Sequence, residues 1–368
     1  MKMKKVDVLI IGGGFAGVSA AQALEKNGVK TLLVDRKDYF EVTFATLRNV
    51  ADPDVVKNAA RKRYDSFLSG AFIQSGVREL TTRIATLEDG TVIEFEKAII
   101  ASGTRYPSLP IAKSNAALDL DTRNGEMLEY HRELKAAQKV LIIGGGVVGV
   151  ELAGEVAFSF PEKKVVLAHN TQSLLDGFKE KTQRVSQEQL EKLGVEVEFN
   201  TYYQRSDSGY IEKHSGKKSD ADYVFQAIGT LPNSEFLREK LSHTLDSKGF
   251  VKVNAQLQVE GETNLYALGD VADVGEAKLG YLAQQQGDYV AKSIVKGLKT
   301  SANSKVSREK HVKGYKRNPL MALIPTGQKS GVAELPFAVT TLKPLINMKQ
   351  KDLFINKIFT AFGAAQSR

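Results

Sequence analysis

Val6-Asp7-Val8-Leu9-Ile10-Ile11-Gly12-Gly13-Gly14-Phe15-Ala16-Gly17 decides the fold, because Lys139-Val140-Leu141-Ile142-Ile143-Gly144-Gly145-Gly146-Val147-Val148-Gly149 repeats its pattern later in the chain. Each stretch is an apolar, strand-like run that ends in G-x-G-x-x-G and opens a helix-like segment. The first glycine of such a loop makes a tight turn, the second lets backbone approach a pyrophosphate, and the third lets helix pack on strand. The helix N-terminus then holds phosphate charge. One such run can be fortuitous. Two in the same context predict an α/β protein with two Rossmann-like dinucleotide-binding domains, and two dinucleotides in one chain predict FAD plus NADH or NADPH.

Outward from the first loop, a helix is expected from about Phe15 to Lys26 and a strand over Lys30 to Val34. Asp35 follows close to the roughly 20-residue distance at which a carboxylate accepts both ribose hydroxyls of an adenosine. In Tyr39-Phe40-Glu41-Val42-Thr43-Phe44-Ala45-Thr46-Leu47-Arg48, Arg48 either contacts a flavin phosphate or covers a helix face. Ala101-Ser102-Gly103-Thr104 ends a buried strand in a glycine turn, and Pro107 and Pro110 mark a linker.

The second unit is expected over residues 111–229. Its strand Lys164 to Ala168 ends in His169-Asn170, where an acid would favour NADH and an arginine NADPH, so a loose preference is expected. The chain then returns to the first unit through Ala227-Ile228-Gly229-Thr230-Leu231-Pro232-Asn233, read as a strand and a Gly-Pro turn. Asn264-Leu265-Tyr266-Ala267-Leu268-Gly269-Asp270 follows, with Asp270 able to hold a ribityl chain. The helix around Ala283 to Gly287 can aim its N-terminal dipole at a flavin. The boundaries expected are 1–110 with 230–290 for FAD, 111–229 for NAD(P)H, and 291–368 for a small basic C-terminal domain. Ser301 to Lys310 is a polar link.

Composition narrows the chemistry. There is no cysteine among 368 residues, which excludes redox disulfides, thiolate catalysis and thiolate-held iron-sulfur clusters. The five histidines, His131, His169, His214, His243 and His311, have no metal-ligand spacing, so no metal is expected. Electrons must then leave a flavin directly for an external acceptor. No apolar run reaches the roughly 20 residues that span a bilayer. Met1-Lys2-Met3-Lys4-Lys5 imitates a signal peptide, but the apolar run behind it ends in the glycine loop and reads as strand. A cytoplasmic protein is expected. Residues 291–368 carry 15 Lys and Arg against 3 Asp and Glu, net +12 in a chain of net +8, which points to an anionic surface as partner.

The order GGGFAG, Asp35, ASGT, GGGVVG, AIGTLPN, YALGD resembles the two-dinucleotide flavoproteins of glutathione-reductase-like fold. Within them the chain is similar to the apoptosis-inducing-factor-like group that includes the ferroptosis suppressor proteins, with type II NADH:quinone oxidoreductases as more distant kin. The stretches YFEVTFATLR (39–48), GVELAGEVAFSFPEKKV (149–165), NLYALGDVADV (264–274) and KQKDLF (349–354) carry this likeness. The resemblance implies FAD contacts at Gly12 to Gly17, Arg48, the segment near Ser75, and Asp270. It implies an acid near nicotinamide and flavin at Glu151, a lysine near the isoalloxazine at Lys349, and NAD(P)H-dependent reduction of quinones. The vertebrate member begins Met-Gly for myristoylation. This sequence begins Met-Lys, so lipid anchoring by that route is not expected.

The expected reaction passes hydride from nicotinamide to FAD, bound without a covalent link, and then two electrons to a quinone. Glu151 orients the nicotinamide or relays a proton, or is simply a good first-turn helix residue. Lys349 is positive beside flavin or quinone, or is a solvated lysine in a basic tail. The apolar and basic mixture of Leu342, Leu345, Ile346, Met348, Leu353, Phe354, Ile355, Ile358, Phe359 and Phe362 either rests peripherally on an anionic membrane or packs on the body. Two other readings stand beside this one: a soluble reductase of a ferredoxin or other small acceptor, and a flavin-containing nucleic-acid-binding or signalling protein. The absence of a nucleic-acid module argues against the last.

Overall fold

The computed structural model describes residues 3–207, 209–303 and 313–364. Its first layer grows from the opening strand. Strand β1 (Met3–Ile11) runs into helix α1 (Phe15–Glu25) and back to β2 (Thr31–Asp35). A short helix α2 (Thr46–Ala51) follows, then β3 (Ala71–Gln74), β4 (Val77–Leu80), β5 (Ile84–Leu87) and the long β6 (Val92–Ile100). They form one sheet in the order β3-β2-β1-β6-β5-β4. Residues Val8 to Ile11 and Ala98 to Ile100 are buried without alternation, as parallel strands covered on both faces must be.

The second layer begins with helix α3 (Leu120–Ala136), then β7 (Lys139–Ile143), helix α4 (Val147–Ser159), β8 (Lys164–Ala168), helix α5 (Glu180–Lys192), β9 (Glu196–Glu198) and β10 (Tyr223–Gln226). Its sheet is parallel throughout, in the order β9-β8-β7-β10. The strand expected at Ala227 ends one residue earlier. Ala227 to Asn233 instead turns back, and Leu231–Pro232 pairs antiparallel with Thr104–Arg105.

The chain then re-enters the first sheet. Strand β11 (Leu265–Ala267) lies parallel to the C-terminal half of β6, while the N-terminal half of β6 pairs antiparallel with β5. Helix α6 (Gly280–Asn303) packs on α1, where Gly287 lets the helices meet: a Cβ there would strike the Ala16 carbonyl oxygen. The boundary expected at residue 290 therefore falls inside one continuous helix. Val290, Ala291, Ile294 and Val295 all belong to the first core, because the apolar face of α6 does not stop there. The polar link expected at 301–310 is helical through Asn303, and its remainder and His311 lie outside the described residues.

Strands β12 (Ala322–Thr326), β13 (Ser330–Leu335) and β14 (Ala338–Thr340) form an antiparallel sheet, followed by helices α7 (Lys343–Gln350) and α8 (Ile355–Ala361). Among the described residues this C-terminal region closes no core of its own. Ile324 and Val332 pack with Val150 and Val156 of the second layer. Leu353, Ile355, Ile358, Phe359 and Phe362 pack with Val18, Phe40 and Tyr64 of the first. Each such side chain stabilises the joint by roughly 1.5–3 kcal/mol.

Candidate active site

A cleft of about 740 Å³ opens at the C-terminal ends of β1, β2 and β6, within the roughly 300–1,000 Å³ common for ligand sites. Gly12, Gly13, Gly14, Phe15, Ala16, Asp35, Ser75, Ala101, Ser102, Gly103 and Asp270 line it together. The glycine roles separate cleanly. Gly12 has φ +101°, and a Cβ there would strike the Ala101 carbonyl. Gly17 does not line the cleft; a Cβ at Gly17 would collide with the Gly12 carbonyl oxygen, so its smallness serves helix–loop packing. At Gly14 a Cβ would meet no protein atom within 4 Å, so nothing in the fold demands glycine there. What it would fill is the cleft, and a ligand approaching the backbone is the physical reason for its absence.

Asp35 ends β2 with both oxygens engaged: Gly13 N–H donates to Oδ2 at 2.6 Å and Lys37 N–H to Oδ1 at 2.8 Å. Burial pushes its carboxyl above the ordinary aspartate value, against those two amides. Tyr64 donates its hydroxyl to the Gly13 carbonyl at 2.9 Å. On the opposite wall, Lys113 Nζ lies 2.8 Å from Asp270 Oδ2 and 2.9 Å from Thr104 Oγ1. Burial opposes ionisation of Asp270, but the Lys113 ammonium, together with Lys278 and the Thr104 hydroxyl, outweighs it and holds the carboxyl below its usual value. Helix α6 contributes Ala283 to the cleft and Gln286 Oε1, which accepts the Gly269 N–H at 2.7 Å.

The second glycine loop is built on the same plan. Gly144 has φ +114° under the Ala227 carbonyl, a Cβ at Gly149 would collide with the Gly144 carbonyl oxygen, and one at Gly146 meets nothing within 4 Å. Gly229, two residues beyond Ala227, has φ +68°. Gly145 N–H donates to His169 Nδ1 at 3.1 Å, so His169 stands where Asp35 stands in the first loop. Its ring proton is therefore on Nε2, which is buried without a hydrogen-bond acceptor and lies 3.4 Å from Asp176 Oδ2.

Glu151 and Lys349, distant in sequence, meet: Lys349 Nζ is 2.8 Å from Glu151 Oε1 and also donates to the Leu323 carbonyl at 2.9 Å. Glu151 sits past the first turn of α4, so the helix dipole does not account for it. Lys349 is no solvated tail residue; its side chain is 12% exposed. Burial pushes the Glu151 carboxyl above its usual value, and Lys349 pulls it back. The pair does not line the cleft. The Lys349 ammonium lies 5.4 Å from the Phe44 ring centroid, Phe44 stacks on Phe15 at 6.0 Å, and Phe15 reaches the cleft wall.

Arg48, expected either at a flavin phosphate or over a helix face, does not line the cleft; it is 2% exposed and held inside the protein. Its Nε and Nη2 hold Glu155, Nη1 donates to the Gln350 carbonyl at 2.8 Å, and Nη2 also donates to Gln350 Oε1 at 2.7 Å. The reason is the Glu151-x-x-x-Glu155 spacing on α4, one face of a helix. Glu151 takes Lys349 and Glu155 takes Arg48 with the neighbouring Gln350. This explains the KQKDLF stretch, in which Leu353 and Phe354 then adopt positive φ to turn the chain into α8.

The C-terminal apolar series is mostly structural: Ile346, Leu353, Ile355, Ile358, Phe359 and Phe362 are buried. Leu342 (65% exposed) and Met348 (53%) remain outside, joined by Phe337 (101%) in the turn between β13 and β14. Lys343, Lys351 and Lys357 are exposed on the same region. Among the described residues no helix is long and apolar enough to cross a membrane, and no group of His, Cys, Asp and Glu could hold a metal ion.

Sequence reasoning missed Lys37, Tyr64 and Lys113, and gave Thr104 of the ASGT turn no role. Lys37, Tyr64 and Lys113 belong to no motif, and only the topology brings them to the cleft. A Lys two residues beyond the strand-end acid was the one available signal.

Residues 6–287 match the family model for pyridine nucleotide-disulphide oxidoreductases. The chain is 30% identical to ferroptosis suppressor protein 1 of Homo sapiens, over 95% of this chain and 94% of that one. It is 29% identical to apoptosis-inducing factor homolog A of Dictyostelium discoideum, over 98% and 92%. Among solved structures, reduced Bacillus anthracis CoADR-RHD superposes with TM-score 0.69 at 17% identity, covering 90% of this chain and 62% of that longer one, a likeness of fold.

Proposed function

The chain belongs to the pyridine nucleotide-disulphide oxidoreductase family, and from that premise we propose that it is an NAD(P)H:quinone oxidoreductase. It is a flavin-dependent oxidoreductase with FAD as cofactor and NAD(P)H as co-substrate. Quinone as the acceptor is our reading. The observation that carries it is the buried Glu151–Lys349 pair beside Phe44 in a chain without cysteine.

The chemistry supplied by FAD is uptake of a hydride from a nicotinamide and its release as two electrons. In our reading Gly12, Gly13, Gly14, Phe15, Ala16, Asp35, Ser75, Ala101, Ser102, Gly103 and Asp270 hold it, with Gly17 shaping the loop. Gly144, Gly146, Gly149 and Gly229 form the nicotinamide nucleotide loop. The fit of the first cleft rests on the open space over Gly14, the engaged Asp35 and the Lys113–Asp270 wall.

Reduction of a quinone to a hydroquinone needs two electrons and two protons, and a hydride supplies only one hydrogen. The second proton must come through the protein or solvent. Glu151 is our candidate for carrying it. Burial raises its pKa and the Lys349 ammonium on Oε1 lowers it, so the carboxyl is balanced between taking up and giving up a proton. Lys349 positions the carboxyl and keeps it able to ionise. No thiol competes for the electrons. Phe337, Leu342 and Met348, set among exposed lysines, support a peripheral contact with an anionic membrane, from which a lipid-soluble quinone would enter.

Anaerobic stopped-flow tests the reading. The FAD-loaded protein is reduced with NADH or NADPH and mixed with a short-chain ubiquinone analogue. Rapid reoxidation supports the quinone reading. Rapid reduction with sluggish reoxidation by quinone but fast reoxidation by a ferredoxin overturns it in favour of a protein acceptor.

A further inference from the structure

The charges that line the cleft are nearly all spoken for. Asp35 is held by two backbone amides and Asp270 by Lys113. Glu41 is buried between Arg61 and Arg123. Arg105 pairs with Glu235, and Arg36 with Glu88. Lys37 is the exception among the described residues. Its ammonium pairs with no carboxylate, and the Tyr39 ring, 5.4 Å away at its centroid, is its one close charge-stabilising neighbour.

Lys37 is partly buried, and a cation drawn from water without a counter-charge is costly: burial pushes its ammonium below its usual pKa. The Glu41 and Asp35 carboxylates pull the other way from a distance, while Arg123 and Lys113 add repulsion. The isolated state is thus unfavourable from every side except those two carboxylates, both already bonded elsewhere. An anion entering the cleft would relieve it. The residues beside it say where: Lys37 lies two positions beyond Asp35, which grips Gly13 of the phosphate-type loop, and that loop opens the 11-residue helix α1. Arg48, the cation expected for this duty, is walled into the protein interior.

We infer that Lys37 is the side-chain counter-charge for the diphosphate of FAD, completing a site whose other phosphate donors are the backbone amides of the Gly12–Gly14 loop. The inference rests on the flavin reading above. It makes Lys37 a binding residue: it touches the diphosphate and takes no part in electron transfer. An ammonium is a point charge without preferred fork geometry, so arginine should replace it with little loss and a neutral isostere should not.

The test is FAD binding by apoprotein, followed by flavin fluorescence, with riboflavin as the ligand that lacks phosphate. Lys37→Met is expected to weaken FAD at least about tenfold, the loss expected for a charge-assisted hydrogen bond, and to leave riboflavin unchanged. Lys37→Arg should bind FAD nearly as wild type. Arg36→Met, which removes a charge from the same cleft, should have little effect, and the salt dependence of FAD binding should flatten when Lys37 is neutral but not in Arg36→Met. Melting of each apoprotein checks that the variants fold, and Lys37→Gln provides a second neutral side chain. Equal FAD affinity in wild type, Lys37→Met and Lys37→Gln overturns the inference, as does an equal loss for FAD and riboflavin or an equal loss in Arg36→Met. A wild-type protein that binds no FAD would instead overturn the flavin reading itself.

Discussion

Lys349 Nζ and Glu151 Oε1 lie 2.8 Å apart although 198 residues separate them, and the pair ties the C-terminal helix α7 to the helix that follows the second glycine loop. Burial raises the Glu151 carboxyl's pKa, and Lys349 first, then Arg48, lower it, so its charge depends chiefly on that lysine.

Glu151→Gln should slow quinone turnover by about 100-fold or more, the low end for loss of a general acid–base group, with FAD still bound. Lys349→Met removes the cation that favours the Glu151 carboxylate, so the Glu151 pKa should rise further and the alkaline limb of the pH–rate profile, where the donor loses its proton, should move to higher pH. An alkaline limb that stays in place, or moves down, in Lys349→Met would remove the carboxyl from the reaction.

The two glycine loops should fail separately. Gly17→Ala forces a Cβ into the Gly12 carbonyl and should give protein that purifies without its flavin. Gly149→Ala does the same at Gly144 and should give yellow protein that NADH reduces slowly. Absorbance after purification and single-turnover reduction read the two outcomes. Loss of flavin in Gly149→Ala with retention in Gly17→Ala would reverse the assignment of the loops.

His169 occupies the place of Asp35, with a ring nitrogen where a carboxylate would be. His169→Glu should shift the ratio of kcat/KM toward NADH by roughly tenfold, about 1.4 kcal/mol, because a carboxylate accepts the ribose 2′-hydroxyl and repels a 2′-phosphate. An unchanged ratio would mean that the nucleotide's ribose lies away from this strand end.

Arg48→Met leaves Glu155 buried without its partner, which typically costs about 3–5 kcal/mol. Urea unfolding should report that loss, and Glu155→Leu in the same protein should recover part of it. Folded Arg48→Met should still bind FAD. Weak FAD binding with unchanged stability would return Arg48 to the phosphate site.

Serine at Phe337, Leu342 and Met348 together should reduce sedimentation with anionic liposomes and leave turnover of a water-soluble quinone analogue unchanged. If wild-type protein fails to sediment with anionic vesicles, the membrane contact is lost as an explanation of these side chains.

The glycine loops were legible because their stereochemistry is local: the turn at Gly12, the packing at Gly17 and the open face at Gly14 are all set within six residues of sequence. Asp35 was legible for the same reason, through its distance from the loop. Arg48 was not. Its neighbours in sequence, Leu47 and Asn49, say nothing about Glu155 and Gln350, which arrive from two other segments. Glu151 and Lys349 were reached through resemblance, and their contact with one another only through the fold. Lys37 was passed over because its significance is the absence of a partner, a property that exists only in three dimensions. The boundary expected at residue 290 lies inside helix α6, because composition changes there while the buried face of the helix does not.

The late arrival of strand β11 beside β6, and of the last helix against Val18 and Phe40, has a consequence for how the protein is made. The polypeptide leaves the ribosome with the first sheet incomplete, and the pieces that finish it are synthesised last. Until Leu265–Ala267 slots in and Leu353 to Phe362 cover the opening helix, apolar surface and an unpaired strand edge stay exposed. Such long-range closures slow folding and invite aggregation. The nascent chain should therefore lean on chaperones for most of its synthesis, and flavin supplied during refolding should raise the yield of closed protein, because it binds the closed cleft and not the open one.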